Sequence, residues 1–191
     1  MYNLTRHQLP AGLVNSNGEF FVCDDDQPHL LRSGSVVDFD QFDPKLILLL
    51  EIKMLSETKR HAYYSLMVAG AGRMAEVRQF TYCMYGGFDN KPDIINGELG
   101  EPEYWRCPKR GNCDFEGKAC AGFKLKSGDH LTRRELQYIQ LTANGLLDKT
   151  IADQLGISPK TVPSFSKQVR EKCGLQRKAD IASWAKDNHL A

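Results

Sequence analysis

Apolar residues recur at helical spacing in the last third of the chain, and glycines separate the successive runs. The apolar positions of the first run are Leu136, Tyr138, Ile139 and Leu141. Thr132 and Glu135 form the capping-box signature that begins a helix, and Gly145 supplies the left-handed residue that ends one. The pattern therefore predicts a first helix of about three turns.

A second, shorter helix is predicted over the segment KTIADQL, which follows Asp148. Asp148 belongs to the residue types that cap helix starts, and Gly156 is placed to end this helix. Ile151, Ala152 and Leu155 lie on one helical face, so we expect this face to be buried.

A third helix is predicted to begin at Ser158, a capping residue, with Pro159 at the first helical position, where no N–H is needed. It ends at Gly174, and its apolar face consists of Thr161, Val162, Phe165 and Val169. Pro163 falls within the first two turns of this helix. We expect its missing N–H to cost a backbone hydrogen bond and to kink or rearrange the helix.

A fourth helix is predicted from about Lys178, with Ile181, Trp184 and Ala185 on one side. This apolar stripe can close the bundle or pair with a second copy of the chain. Four short helices with a tight turn between the second and third fit about sixty residues and are typical of a helix-turn-helix module. Such a module places one helix against DNA.

The segments LTRRE, IADQLGIS, KTV and REKCGL, together with Gly145, resemble the LuxR/FixJ-type DNA-binding domain of bacterial transcription regulators. The resemblance covers about a third of the chain and implies that the third of four helices enters the major groove. It implies that Ser164 and Lys167 face the groove. The full set of DNA-binding candidates is Lys160, Thr161, Ser164, Lys167, Gln168 and Arg170, with Lys160 and Thr161 near the phosphate backbone.

The chain departs from the family pattern at two positions of the third helix. Pro163 stands where the family usually has a lysine or a similar polar residue, and Phe165 stands where it usually has a histidine. We therefore expect a DNA specificity that differs from that of the family.

Charge is distributed unevenly along the chain. Residues 131–191 hold ten Lys or Arg and six Asp or Glu, a net charge of +4, whereas the remainder carries −3. The whole-chain charge of +1 hides this asymmetry, which places basic residues where phosphate neutralisation needs them. The alternative is a helical bundle that binds only protein, such as an RNA polymerase subunit or another regulator.

Composition is that of an ordinary globular protein, with 41% hydrophobic and 26% charged residues. The longest strongly apolar run is LILLL at 46–50, much shorter than the roughly 20 residues of a membrane span. The first residues show no basic region followed by an apolar stretch, so we expect no signal peptide and a cytoplasmic protein. Thiols stay reduced in that compartment, which makes the six cysteines candidates for metal binding or redox sensing.

The N-terminal region is predicted to be rich in helix, with a small strand element at GEFFVCD. Asp43 and Pro44 begin a helix, PKLILLLEIKMLS, that is apolar enough to be buried on most sides. A longer helical stretch from Glu57 to Tyr85 is interrupted by AGAG at 69–72, where small residues allow two backbones to approach closely. We expect this pair of helices to form the main N-terminal core.

Cysteines cluster in the polar segment CPKRGNCDFEGKAC. It contains Cys107, Cys113 and Cys120, and Cys83 lies 24 residues upstream. Four thiolates can bind one zinc ion, and the metal would then order a segment with little apolar area to bury. The alternative cofactor is an iron–sulfur cluster.

A third interpretation is that these cysteines are small, half-buried residues of an irregular loop. Cys23 and then His130 are the substitute ligands if Cys83 does not take part. Cys173 occupies a position where the family usually has a larger aliphatic residue, so we assign it to the core.

Catalysis is the function class that the sequence supports least. The segment CDFEG places Cys113 beside acidic residues, which could activate water on a metal or transfer electrons. The sequence nevertheless contains no His-Glu motif of the HExxH type, phosphate loop, nucleophile elbow or dinucleotide fingerprint. We therefore expect a protein that is not an enzyme.

The sequence thus predicts a mainly α protein with two domains. Residues 1–128 form an α-rich domain with a small strand element and a metal-stapled, Cys-rich segment at 83–120, and residues 129–191 form a four-helix helix-turn-helix domain. A standard response-regulator receiver is not expected, because residues 1–130 lack its alternating strands and helices. The predicted function is that of a DNA-binding transcription regulator of bacterial or phage type, acting as a homodimer on double-stranded DNA, with no membrane partner.

Overall fold

A computed structural model describes residues 10–13, 16–110, 112–188 and 190 of the chain. The contacts divide the chain into two compact units, Met1–Ala121 and Gly122–Ala191. The first unit combines a sheet with helices, and the second is built from helices.

The sheet of the first unit has five strands in the order β3-β2-β1-β4-β5, and every neighbouring pair is antiparallel. The strands are β1 Gly18–Val22, β2 Pro28–Arg32, β3 Ser35–Asp38, β4 Ile94–Ile95 and β5 Glu98–Leu99. Strand β1 confirms the strand-like run of the sequence, but the sheet is larger than the small element predicted.

The hairpin that joins β2 and β3, like the β4–β5 pair, is a part of this sheet that the sequence analysis did not assign. Ser33 and Gly34 form its two-residue loop, and both have positive φ, 52° and 75°. Two residues of positive φ are the geometry that matches the twist of the flanking strands. The Ser-Gly dipeptide between two runs rich in Leu and Val is the signal that could have located this hairpin.

In the described part of the first unit, three α-helices accompany the sheet: α1 Pro44–Ser56, α2 Thr58–Met67 and α3 Arg73–Tyr85. A short 3-10 helix, Phe39–Gln41, precedes α1. The start of α1 is as predicted, because Asp43 Oδ1 accepts a hydrogen bond from the Leu46 N–H at 3.0 Å and Pro44 follows the cap. The prediction that α1 is buried on most sides is wrong. Its buried positions are Leu46, Leu50 and Met54, whereas Leu48, Ile52 and Leu55 are exposed.

The break between α2 and α3 has a different cause from the one predicted. Ala69, Gly70 and Gly72 have φ values of 50°, 76° and 94°. A Cβ added at Gly70 or Gly72 would meet no atom within 4 Å, so these small residues do not serve a close approach of two backbones. They permit the left-handed conformations that reverse the chain.

The core of the first unit lies between the sheet and the helices. Phe20 of β1, Leu50 of α1 and Phe80 of α3 are fully buried. Tyr85 joins them, since its ring centroid lies 5.7 Å from that of Phe20 and 5.8 Å from that of Phe80. The sheet therefore supplies one wall of a core that the sequence assigned to helices.

The second unit contains the four helices predicted from the sequence: α4 Arg133–Ala143, α5 Asp148–Leu155, α6 Val162–Cys173 and α7 Asp180–Asp187. Its buried apolar residues include Leu136, Ile139, Ile151, Val169 and Ile181. The glycines that follow α4, α5 and α6 adopt positive φ and confirm the predicted helix ends. No helix in the described part of the chain is both long enough and apolar enough to cross a membrane.

The start of α5 differs from the prediction. Asp148 is the first residue of the helix and Leu147 precedes it, without a side-chain capping bond. The Asp148 carboxylate instead accepts a hydrogen bond from Lys178 Nζ, which lies shortly before α7. This residue therefore links two helices of the bundle instead of capping one.

Candidate nucleic-acid interface

The capping box predicted at the start of α4 is formed. Thr132 Oγ1 accepts from the Glu135 N–H at 3.3 Å, and Glu135 Oε2 accepts from the Thr132 N–H at 2.7 Å. Glu135 also accepts from Lys172 Nζ at 2.9 Å, near the end of α6. Burial alone would raise the pKa of Glu135, but the hydrogen bonds from Lys172 and Thr132 lower it.

The turn before α6 is shaped by Pro163. An α-helix beginning at Pro159 would need an N–H at residue 163 to reach the Pro159 carbonyl, and proline has none. Instead, Pro159–Thr161 form a 3-10 turn in which the Val162 N–H donates to Pro159 O. The α-helix then begins at Val162, so Pro163 lies in its first turn, where the N–H would have no intrahelical partner. The predicted local rearrangement is therefore confirmed as this 3-10 turn, whereas the predicted loss of a hydrogen bond is avoided, because Pro163 lies where the N–H needs no partner.

Helix α6 has a buried side and an exposed polar side. Val162, Ser166 and Val169 are buried against the bundle. Four of the predicted DNA-binding residues, Thr161, Ser164, Lys167 and Gln168, are exposed, and so is Lys160 in the preceding turn. The structure thus brings these five candidates to the outside of the turn and the first half of α6.

The sixth candidate, Arg170, is placed differently. It is half-buried, and its Nη1 donates to the backbone carbonyl of Gln176 beyond the end of α6. This hydrogen bond fixes the position of the segment that follows α6. Sequence spacing alone could not separate this role from that of an outward-facing arginine.

Phe165 faces the bundle. Its ring packs edge-on against Tyr138 of α4, with centroids 5.5 Å apart and planes at 87°. The aromatic residue that replaces the family's usual histidine is therefore a packing residue between α4 and α6.

Acidic residues balance part of the positive charge around α6. Lys167 Nζ lies 3.8 Å from Glu171 Oε1, one helical turn away, and both side chains are well exposed. A pair this exposed is weak, so Lys167 can exchange Glu171 for a phosphate or a base edge. Glu171 was not among the predicted site residues, although its spacing from Lys167 was visible in the sequence.

The four predicted metal ligands line one cavity of about 30 Å³ in the first unit. They are Cys83 at the end of α3 and Cys107, Cys113 and Cys120 in the turn-rich segment that follows β5. Within the described residues, no three His, Cys, Asp or Glu side chains are yet spaced to hold a metal ion. The pKa of Cys83 is raised to about 12, mainly by burial and in smaller part by the other three thiols, while the hydrogen bond from Gln79 acts to lower it.

The remaining cysteines lie elsewhere. Cys23 is exposed and does not line this cavity. Cys173 is half-buried at the end of α6, where burial raises the pKa of its thiol to about 11. His130, the other substitute ligand, belongs to the second unit, where it forms an isolated antiparallel bridge with Lys124.

Residues 129–185 match the model of the luxR family of bacterial regulatory proteins. The transcriptional regulatory protein UhpA of Escherichia coli is 43% identical over 61 residues, which are 31% of this chain and 31% of UhpA. The virulence-factor transcription regulator BvgA of Bordetella pertussis is 36% identical over 61 residues, 32% of this chain and 29% of BvgA. These matches confirm the LuxR-type resemblance of the C-terminal region.

The Fimbriae Z protein of Salmonella typhimurium is 34% identical over 68 residues, 34% of this chain and 32% of that protein. The chain therefore covers about a third of the length of the curated relatives it matches. No solved structure matches the chain.

Proposed function

We propose that the chain is a sequence-specific DNA-binding transcription regulator that inserts α6 into the major groove. The observation that carries the proposal is the outer face of α6, where Ser164, Lys167 and Gln168 are exposed on a helix whose opposite side is fixed in the bundle. This face belongs to a luxR-family domain, and relatives of that domain are named transcription regulators. Such a regulator works in the cytoplasm, where it meets the chromosome.

The exposed residues divide into two chemical groups. Lys160 and Thr161 lie in the turn before α6, at the positively polarised end of the helix, which suits contact with phosphate oxygens. Lys167 and Gln168 lie along the helix, where lysine can donate to guanine and glutamine can pair with adenine. We assign phosphate contacts to the first group and base contacts to the second.

We also propose that the regulator binds DNA as a homodimer. Two recognition helices that contact two half-sites bind more tightly than one short helix on a single half-site. Leu48, Ile52 and Leu55 support this idea, since they recur on one exposed face of α1. A twofold contact between two copies of this face would remove apolar area from water.

The test is selection of binding sites from a random duplex library at moderate salt, using the full chain. We expect one enriched motif. Lys167→Glu should abolish enrichment, because it reverses charge on the groove face. The matched control is Lys186→Glu, the same charge reversal at an exposed position of α7, and it should retain the motif.

Two outcomes would contradict the proposal. The first is a library that yields no motif with folded wild-type protein. The second is equal binding by wild type and Lys167→Glu. If the wild type instead binds RNA polymerase or another regulator through the same helical bundle, the chain is a protein-interaction module and not a DNA-binding regulator.

A further inference from the structure

Four cysteines that are distant in the sequence meet around one cavity of the first unit. Cys83 is fixed by the last turn of α3, whereas Cys107, Cys113 and Cys120 come from the segment that folds over this helix end. The cavity measures about 30 Å³ and is closed on other sides by Tyr82 and Phe115. Side chains separated by up to 37 residues thus line the same cavity.

Two N–H groups are already directed at these sulfur atoms. Gln79 Nε2 donates to Cys83 Sγ at 3.2 Å, and the Gly117 N–H donates to Cys120 Sγ at 3.3 Å. N–H···S bonds of this kind support metal-bound thiolates, because they stabilise the negative charge on sulfur and orient the ligand.

The backbone around two of the cysteines forms compact turns. The Arg110 N–H donates to Cys107 O at 3.0 Å, and the Glu116 N–H donates to Cys113 O at 3.1 Å. Each turn holds its cysteine at a bend, so the side chain can point inward while the chain reverses direction.

Basic side chains surround the cavity. Lys109 and Arg110 both line it. Lys109 Nζ lies 4.6 Å from the Tyr82 ring centroid, and Arg110 Nε donates to Trp105 O at 2.8 Å. A divalent ion held by four thiolates carries a net charge of about −2, which these two cations would offset in part, since Arg110 Nη1 also lies 3.7 Å from Glu116 Oε1.

The segment is anchored at both ends. Trp105 Nε1 donates to Cys83 O at 3.3 Å, and Tyr64 of α2 donates to Ala119 O. Between these anchors lie mainly turns, with polar and glycine residues that bury little apolar area. Such a segment gains order from a bound metal, since metal binding then contributes to folding.

We propose that Cys83, Cys107, Cys113 and Cys120 together bind one tetrathiolate metal centre, either a zinc ion or an iron–sulfur cluster. The sulfur atoms must move closer to one another for this, because they are not yet spaced as ligands. Cys83 is held by α3, so the movement belongs to the turns that carry the other three. The proposal is independent of the DNA-binding function, because the four ligands lie outside residues 129–185.

The experiment starts from the full chain, produced without an affinity tag and purified under anaerobic conditions. Zinc, iron and acid-labile sulfide are measured per folded chain, and the visible spectrum is recorded. We expect either about one zinc in colourless protein, or about four iron and four sulfide in brown protein. Either result supports the centre and identifies which kind it is.

Variants then test the ligands. Cys107→Ser, Cys113→Ser and Cys120→Ser should each lower the metal content of folded protein at least about tenfold after gel filtration against a weak chelator. Cys23→Ser and Cys173→Ser are the matched controls, because they remove cysteines that do not line the cavity. Both controls should keep the wild-type metal content.

Two results would overturn the proposal. One is less than about half an equivalent of zinc or iron in wild-type protein with native circular dichroism, including after incubation with zinc or after cluster reconstitution. The other is a metal content that falls equally in the Cys23→Ser or Cys173→Ser controls. The wild-type measurement decides the question even if a ligand variant fails to fold.

Discussion

Lys172 Nζ lies 2.9 Å from Glu135 Oε2, and this ion pair joins the last turn of α6 to the first turn of α4. Glu135 is also the acceptor that completes the capping box of α4. The Glu135 carboxylate therefore stabilises the start of α4. It also helps to orient α6, the helix that we assign to the DNA groove.

Glu135→Gln should destabilise the second unit by about 1 kcal/mol at neutral pH, because it removes the charge while keeping an amide oxygen at the cap. The pKa of Glu135 is lowered in the folded protein, so its contribution is present above the ordinary value of 4.5 and is lost as the pH falls. Urea unfolding near pH 7 and near pH 4 checks both statements. A loss that is as large near pH 4 as near pH 7 would contradict this account.

Pro163→Ala should change the free energy of unfolding by less than about 1 kcal/mol, because the proline lies where no intrahelical N–H is needed. The contrasting variant is Gln168→Pro in the middle of α6, which should cost about 3 kcal/mol. Urea unfolding of both proteins measures the difference. A large loss in Pro163→Ala would show that the 3-10 turn depends on proline more strongly than its hydrogen bonds indicate.

Lys160→Ala should weaken binding to all DNA sequences alike and reduce the slope of log affinity against log salt by about 1. This follows from its place in the turn before α6, where it faces the phosphate backbone. Gln168→Ala should instead relax the base preference at one position of the selected motif. Fluorescence anisotropy over a salt series with matched and mismatched duplexes separates the two effects, and an unchanged slope in Lys160→Ala would refute the phosphate assignment.

Glu19 and Asp93 make the stability of the first unit depend on pH. Burial raises the pKa of Glu19 to about 8 and that of Asp93 to about 9. Each therefore binds its proton more tightly when folded, so the free energy of unfolding falls as the pH rises from about 4 toward about 9. Glu19 accepts from the Asp89 N–H at 2.9 Å, a bond that a glutamine oxygen preserves.

Glu19→Gln should therefore raise the melting temperature relative to wild type at about pH 8, with a smaller difference at about pH 5. Glu98→Gln, at an exposed position of β5, is the control and should leave the pH profile unchanged. Thermal unfolding across this range checks the prediction. A variant that follows the wild-type profile would show that Glu19 titrates normally.

Ile52→Glu should weaken self-association at least tenfold if α1 carries the dimer contact, since a charge would be buried in the interface. Val36→Glu is a close control, because Val36 is 58% exposed and Ile52 is 56% exposed. Sedimentation equilibrium of the two variants and the wild type measures the association. A wild type that stays monomeric at high concentration, or an equal effect of both variants, would refute the dimer surface.

The helices of the second unit were visible in the sequence because their signals are local. The Thr132 and Glu135 pair, and the glycines at 145, 156 and 174, act within one turn of the helix end that they define. Residues 129–185, which include most of these helices, are also the segment that resembles a known domain. The five exposed candidates before and along α6 came from this resemblance, position by position.

Several features depended on contacts that no local pattern records. The burial of only one stripe of α1 reflects where α3 and the sheet lie, and the interior place of Phe165 depends on Tyr138. Arg170 could be assigned to the chain beyond α6 only when the position of the Gln176 carbonyl was known.

The sequence by itself determined where most helices begin and end, because capping and left-handed glycines are short-range effects. The tertiary structure decided which apolar faces are covered, how the β2–β3 hairpin joins the sheet, and that Cys83 meets three cysteines far along the chain. These features require the closure of long loops, whose outcome depends on the packing of the whole unit and not on neighbouring residues.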